Sequence, residues 1–239
     1  LSWTYDSRGT EQIHAKTSVT ELKRENFPDE EVLPSFAPAV GAGAGGQEWE
    51  VPRFLRTAKR AALSPMERGT AMHALMQHLD FAEVPDIAAI ERQARSLFDQ
   101  GILTEEAYQS LDVRNVWRFV SSALGRRLRD AKRVYRELPF GRLLPAKKYY
   151  KEAQDEADRI FLQGIIDVLF EEENGDYILL DYKTDRHISP QDARTRYQFQ
   201  IDLYCDAVET ILERPVKECY LFLLDTGREV RMKRQAASA

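Results

Sequence analysis

Two aspartates and a lysine in apolar surroundings are the residues of this sequence best suited to chemistry. Asp167 lies between Ile166 and Val168, and Asp181 follows Leu179 and Leu180 in the run Ile178-Leu-Leu-Asp181-Tyr-Lys183-Thr-Asp185. A carboxylate flanked by β-branched and leucine residues is costly to bury unless it is paired or metal-bound. Lys183 is two residues beyond Asp181, hence on the same face of an extended strand, with Cα atoms ~6.6 Å apart. Two carboxylates and a lysine at the ends of neighbouring strands suit a divalent metal and a polarised water. Magnesium would take hard oxygen ligands at ~2.1 Å. The lysine can orient the water or stabilise charge developing on a phosphate. An Asp-x-Lys triplet alone is common on solvated strand edges; Asp167, one hairpin earlier in an apolar run, gives this one weight.

For both carboxylates to serve one metal, the hairpin between them must have a particular register. A two-residue loop at Asn174-Gly175 makes paired residue numbers sum to 349, which sets Asp167 opposite Tyr182 and turns the carboxylates to opposite faces. The expectation is therefore a three-residue loop, Glu173-Asn174-Gly175, with Gly175 left-handed. Pair numbers then sum to 348, and Asp167 opposes Asp181.

The segment Gly164-Ile-Ile-Asp167 followed by Asp181-Tyr-Lys183-Thr resembles the active-site signature of the PD-(D/E)xK nuclease superfamily, and more narrowly its RecB-like branch. Arg68-Gly69-Thr70-Ala-Met-His73 is similar to that branch's helical Gly-Thr-x-x-His motif, Arg136-Glu137-Leu-Pro139-Phe140 to its Glu-x-Pro-Phe strand, and Tyr197-x-x-Gln200-x-x-x-Tyr204 to its helix motif near bound DNA. Each motif is weak alone; their order and context carry the resemblance.

That resemblance implies a restriction-endonuclease-like α/β core, a mixed central sheet flanked by helices, with an added N-terminal helical region. It also implies DNA hydrolysis with magnesium, manganese substituting. His73, Asp167, Asp181 and the Tyr182 backbone carbonyl would hold the metal, Lys183 would assist the water, and Glu137 would join Asp167, Asp181 and Lys183 in catalysis. Within the branch the chain looks like the nuclease domains of AddA-type helicase–nucleases. Those imply a helicase in the same polypeptide, an AddB-type partner subunit, and single-stranded DNA ends as substrate in double-strand-break repair. A RecB nuclease domain or another PD-(D/E)xK endonuclease is the near alternative, and a non-cutting scaffold that binds DNA or a partner is the alternative of another class.

Total charge is −5, from 34 basic and 39 acidic residues, so DNA contact must be local. Arg126, Arg127, Arg129, Lys132, Arg133 and Arg136 crowd together with only Asp130 opposing, a cluster able to bind phosphates or to form a solvated helix face. Two cysteines, Cys205 and Cys219, cannot hold an iron–sulfur cluster, so none is expected, and their number suits a reducing cytoplasm. The longest apolar runs are a handful of residues, too short to span a membrane. The chain opens on Leu1 without a leader, as a piece of a longer polypeptide would.

The elements that must position these residues follow from periodicity. At 239 residues the chain fits one large domain with appendages. Residues 1–52 read as an extension and linker, with a short helix near Ser18–Glu25 capped by Ser18 and Glu21. The run Gly41–Gly46 has the spacing of a phosphate loop, but Gln47 and Glu48 stand where that loop needs lysine and a hydroxyl, which excludes it. Residues 53–235 form the nuclease-like domain and 236–239 a frayed tail. Its helical part, 64–131, starts at Ser64-Pro65, with Gly69 able to delay the start, and carries the stripe Met72, Leu75, Met76, Leu79. Further helices are expected at Ile87–Asp99, Thr104–Leu111 and Val113–Leu124. In the α/β core, 132–230, strands are expected at Val134–Phe140, Lys147–Lys151, Ile160–Phe170, Tyr177–Thr184 and Cys219–Leu224, with a helix from Ser189-Pro190 to Glu213.

Overall fold

The computed structural model describes residues 14–26, 63–153 and 155–234. The linker with its glycine run and the tail lie outside the described residues. The helix expected near Ser18 is α1 (Val19–Asn26), with the Glu21 carboxylate accepting from Ser18 N–H at 2.8 Å. At the start of α2 (Pro65–His78), Ser64 and Glu67 form a reciprocal cap. Gly69 does not delay that helix. It lies inside α2, where a Cβ would come 2.9 Å from the Thr184 hydroxyl, so its lack of a side chain lets α2 approach the strand end that carries Lys183.

Helices α3 (Ile87–Asp99) and α4 (Glu105–Ser110) fall where the periodicity puts them. The single helix expected over Val113–Leu124 is instead two, α5 (Val113–Val120) and α6 (Ala123–Arg129). Serines break it. The Ser121 hydroxyl bonds back to the Trp117 carbonyl at 2.6 Å, and Ser122 accepts from Gly125 N–H as the cap of α6. The turn is so tight that a Cβ on Gly125 would sit 2.1 Å from the Phe119 carbonyl oxygen. Backbone cannot yield as a flexible side chain can. Gly125→Ala is therefore expected to cost ~3 kcal/mol and lower the melting temperature by ~6–12 °C in a thermal melt.

The strands are β1 (Lys16–Ser18), β2 (Arg133–Pro145), β3 (Arg159–Glu171), β4 (Tyr177–Lys183), β5 (Val216–Leu223) and β6 (Arg228–Met232). They form one mixed sheet in the order β1-β3-β4-β5-β6, with β2 on the other edge of β3. Helix α7 (Pro190–Leu212) connects β4 to its parallel neighbour β5. Lys147–Lys151 is not a strand: Pro145 ends β2, and Ala146–Lys148 closes into a 3-10 turn with Tyr149 N–H on the Ala146 carbonyl. Strands β1 and β6 escape the periodicity. The first is three residues long, and in the second only Val230 and Met232 are buried among charged neighbours.

The β3–β4 hairpin has the expected register, although its ladder stops at Val168↔Leu180, one pair short of Asp167 and Asp181. Val168 pairs with Leu180, Leu169 with Leu179 and Phe170 with Ile178, each summing to 348. Gly175 N–H bonds the Glu172 carbonyl across the loop, and Gly175 has φ +85°. This is the three-residue loop with a left-handed glycine.

Two cores flank the sheet. Helices α1 and α7 bury Phe140, Leu144, Leu162 and Ile166 with Leu179 and Leu221 on one side. The helical layer buries Met72, Leu75, Phe119, Val168 and Phe170 with Leu180 and Phe222 on the other. Ile166 and Val168 share the same parity in β3, yet they belong to opposite cores. Side chains of a regular strand alternate strictly, so β3 exchanges faces at Asp167. Its partner β2 is irregular at the same level: Arg136 pairs with Val168 and Leu138 with Ile166, while Glu137 between them has φ 48°.

Candidate active site

The sheet forks where the candidate residues lie. Pairing of β3 with β4 ends at Val168↔Leu180, after which β4 follows β5 and β3 follows β2 and β1. In the gap, the Tyr182 backbone N–H donates to Asp167 Oδ2 at 2.8 Å instead of to a strand carbonyl. Asp167 thus points sideways into the fork, across from Glu137. Helix α2 reaches the same point, with His73 Nδ1 3.5 Å from Asp167 Oδ2. The Tyr182 ring packs edge-on against Phe119, centroids 5.1 Å apart, and lies 6.3 Å from the His73 ring, which ties the histidine to β4.

His73, Glu137 and Asp167 each offer a ligand atom, all within 4.8 Å of one another. Burial, then Asp167 and Asp181, push the Glu137 carboxyl up to about 7. Asp181 is also raised, first by burial, with Lys183 opposing and Asp167 adding to the rise. Three crowded carboxylates with one lysine among them lack positive charge. One imidazole and several hard oxygens are a donor set that fits a divalent ion. Glu137 is the residue whose position the sequence does not foretell. Its strand motif leads to an expectation of catalysis, and the geometry sets its carboxylate with His73 and Asp167 in a group that could hold a metal; its left-handed backbone is announced by no sequence pattern.

Asp181 is 2% exposed and approaches the fork from the α7 side. Its Oδ2 pairs with Lys183 Nζ at 2.7 Å, and its Oδ1 accepts from Gln200 Nε2 at 3.3 Å. The Gln200 amide oxygen in turn accepts from Lys183 Nζ at 3.1 Å. The lysine also lies 4.2 Å from the centroid of the Tyr197 ring, a cation–π contact. Tyr197 is anchored by its hydroxyl on Asp185 at 2.7 Å, and Arg196 binds the same carboxylate at 3.0 Å. Asp185 is a supporting residue to which the sequence motifs give no role.

Residues expected near DNA divide in two. Gln200 and Tyr204 are buried, at 5% and 2% exposure, with Tyr204 packed edge-on against Phe140. Their observed place is beneath the Asp181–Lys183 pair, with no open surface for a strand; the spacing puts them on the inner face of α7. Arg127 bridges Glu172 and Glu218, both at 2.7 Å. Arg126 and Arg133 are exposed, but Arg133 pairs with Glu171 at the hairpin end of the sheet, four positions along β3 from Asp167, or ~13 Å. The structure does not bring Arg126, Arg127 or Arg133 to the fork; of the basic cluster it is Arg136, paired with Val168, that stands at that level. A cavity of about 260 Å³ does open beside the fork, lined by Arg68, Met72, Thr184, Asp185 and Arg186 among others.

Comparison with known proteins gives this geometry a family. The family model of the PD-(D/E)XK nuclease superfamily matches residues 48–239. The chain belongs to that superfamily. Among curated proteins, this nuclease domain is 38% identical over 241 residues to an ATP-dependent helicase/nuclease subunit of Ruminiclostridium cellulolyticum, covering 97% of this chain and 18% of the relative. The subunits of the same name in Bacillus velezensis and Heliobacterium modesticaldum are 36% and 38% identical, over 95% and 97% of the chain and 19% and 18% of their own lengths. The chain thus spans about a fifth of the curated relatives it matches.

Proposed function

We propose that this domain hydrolyses DNA phosphodiester bonds with magnesium, manganese substituting, as the nuclease part of an AddAB-type helicase–nuclease. The observation that carries the reading is the convergence of His73, Glu137 and Asp167 ligand atoms within 4.8 Å beside the buried Asp181–Lys183 pair. His73, Asp167 and Asp181 would hold the metal, with Glu137 closing the cluster. The Tyr182 carbonyl joins them on a backbone argument: N–H and C=O of one strand residue point to the same side, and Tyr182 N–H faces Asp167. When bound, the ion supplies Lewis acidity toward the phosphate and the attacking water. Lys183, steered by Gln200 and Tyr197, donates hydrogen bonds to that water or to the phosphate oxygens as charge grows on them. Arg68 and Arg186 in the adjoining cavity offer phosphate contacts.

The relatives are helicase/nuclease subunits, which supports an attached helicase and hence single-stranded ends as substrate, beside an AddB-type partner, in cytoplasmic double-strand-break repair. No helix among the described residues is long and apolar enough to cross a membrane. The decisive test is incubation of the purified domain with single-stranded DNA and manganese or magnesium. Cleavage that requires the metal supports the reading; DNA binding without cleavage under both metals would favour a scaffold.

Metal binding has its own readout. Magnesium or manganese should raise the melting temperature of the wild-type domain by relieving carboxylate repulsion. Calcium should do the same yet support little cutting, because its looser coordination positions water poorly. His73→Ala is expected to weaken the metal's effect ~10–100-fold in a titration followed by thermal shift. An unaltered titration in that variant would remove His73 from the ligand set.

A further inference from the structure

Among the described residues the helical layer covers only part of its side of the sheet. Beyond the fork the same face of the β2–β3 ribbon carries Phe161, Gln163 and Ile165 on β3, with Leu143, Gly141 and Pro139 opposite them on β2. These alternate with Leu162, Ile166, Phe140 and Leu144, which are buried under α1 and α7, so they must point the other way. They meet no helix. Leu143 is 63% and Phe161 38% exposed, an unusual pair of large apolar side chains directly opposite each other on a strand face.

The Phe161 ring lies across Gly141. A Cβ there would come 2.4 Å from the far end of the ring, so this position must be glycine for the ring to reach over the ribbon. On the neighbouring strand Lys16 pairs with Phe161 and shares its face, exposed, and Arg159 stands two residues earlier on that face. The strip runs from Phe161 through Gln163 and Ile165 straight to Asp167. An aromatic side chain 38% exposed, flanked by cations and continuous with the proposed phosphodiesterase centre, has the chemistry of a single-strand binding surface. Bases stack on the ring while lysine and arginine follow the phosphates.

We infer that Phe161, laid over Gly141, is a base-stacking platform that holds the single strand leading to the metal cluster. The inference rests on the nuclease reading and adds a positioning residue to it. Six strand positions separate Phe161 from Asp167, ~20 Å, on the order of six stacked nucleotides. Substrates shorter than this on the relevant side cannot use the platform.

The test has two arms. In an Asp181→Asn background, Phe161→Trp should show fluorescence quenching by oligothymidylate but not by an abasic oligomer of equal length, after subtraction of the Asp181→Asn parent with its native tryptophans. In the otherwise intact domain, Phe161→Ala should raise KM about tenfold for long oligomers with kcat unchanged. It should have no effect on oligomers below about six nucleotides or on abasic ones, and Phe161→Tyr should restore the wild-type KM. If the wild type cuts DNA but neither quenching nor KM responds, the platform is overturned and the nuclease reading stands; the apolar strip then belongs to a protein surface. If quenching discriminates bases but no metal yields cleavage, the platform stands and the nuclease reading falls.

Discussion

Replacing Asp181 by asparagine is expected to reduce metal-dependent DNA cleavage by at least ~10³-fold while leaving the domain folded. The carboxylate is buried between two demands. It stands beside the proposed metal ligands, and it neutralises Lys183 at 2.7 Å. Asparagine keeps an oxygen for Lys183 and occupies the same space, but it removes the negative charge that a divalent ion needs. Losing a ligand to such an ion forfeits several kcal/mol of stabilisation in the transition state, and ~4 kcal/mol corresponds to three powers of ten in rate. Asp181→Ala should also abolish cleavage, but it strands a half-buried lysine, and breaking a buried pair by removing one partner costs ~3–5 kcal/mol. The asparagine variant is therefore the cleaner measurement. Single-turnover cleavage with manganese, alongside a thermal melt, checks both halves, and near-wild-type cleavage by Asp181→Asn would end the catalytic assignment.

The second large effect is at Lys183. Lys183→Ala is expected to lower the cleavage rate by ~10²–10³-fold, the range found when one donor to a developing oxyanion is removed. Metal binding should survive, because the lysine contributes no ligand atom. A thermal shift by magnesium that persists in a variant unable to cut would separate the two roles. Gln200→Ala gives a graded version: it frees Lys183 Nζ and Asp181 from a shared amide, so kcat should fall less than in Lys183→Ala while the metal titration changes little. A complete loss of the metal shift in Lys183→Ala would show instead that the lysine holds Asp181 in place for the ion.

Much of this site is legible in the sequence. Buried aspartates announce themselves by their apolar neighbours, since only pairing or a metal makes such burial tolerable. Strand parity then dictates the loop length from Asp167 to Asp181, because a one-residue slip reverses every side chain. The caps at Ser18 and Ser64, the helix start at Ser189-Pro190 and the stripe in α2 are local signals, decided within a few residues, and the structure has them where the sequence puts them. Two expectations fail where a polar side chain, a tight backbone turn or a proline overrides the period within a few residues. Val113–Leu124 is periodic enough for one helix, yet serines and a close backbone crossing at Gly125 divide it. Lysines at Lys147 and Lys148 resemble a strand edge only until Pro145 closes β2.

The residue types, their order and the hairpin register by themselves determined that two carboxylates and a lysine could serve one ion, because these depend on separations of a few residues along the chain. Only the tertiary structure decided the rest. It split β3 from β4 at Val168↔Leu180, so that Tyr182 N–H lost a strand partner and took the Asp167 carboxylate. It put Glu137 into a left-handed conformation against Asp167 and brought His73 to the same point on α2. It buried Gln200 and Tyr204, whose spacing was equally good for a DNA-facing surface. It also left Phe161 bare over Gly141. None of these follows from a period of two or 3.6, since each depends on which layer covers a strand face and where that cover stops.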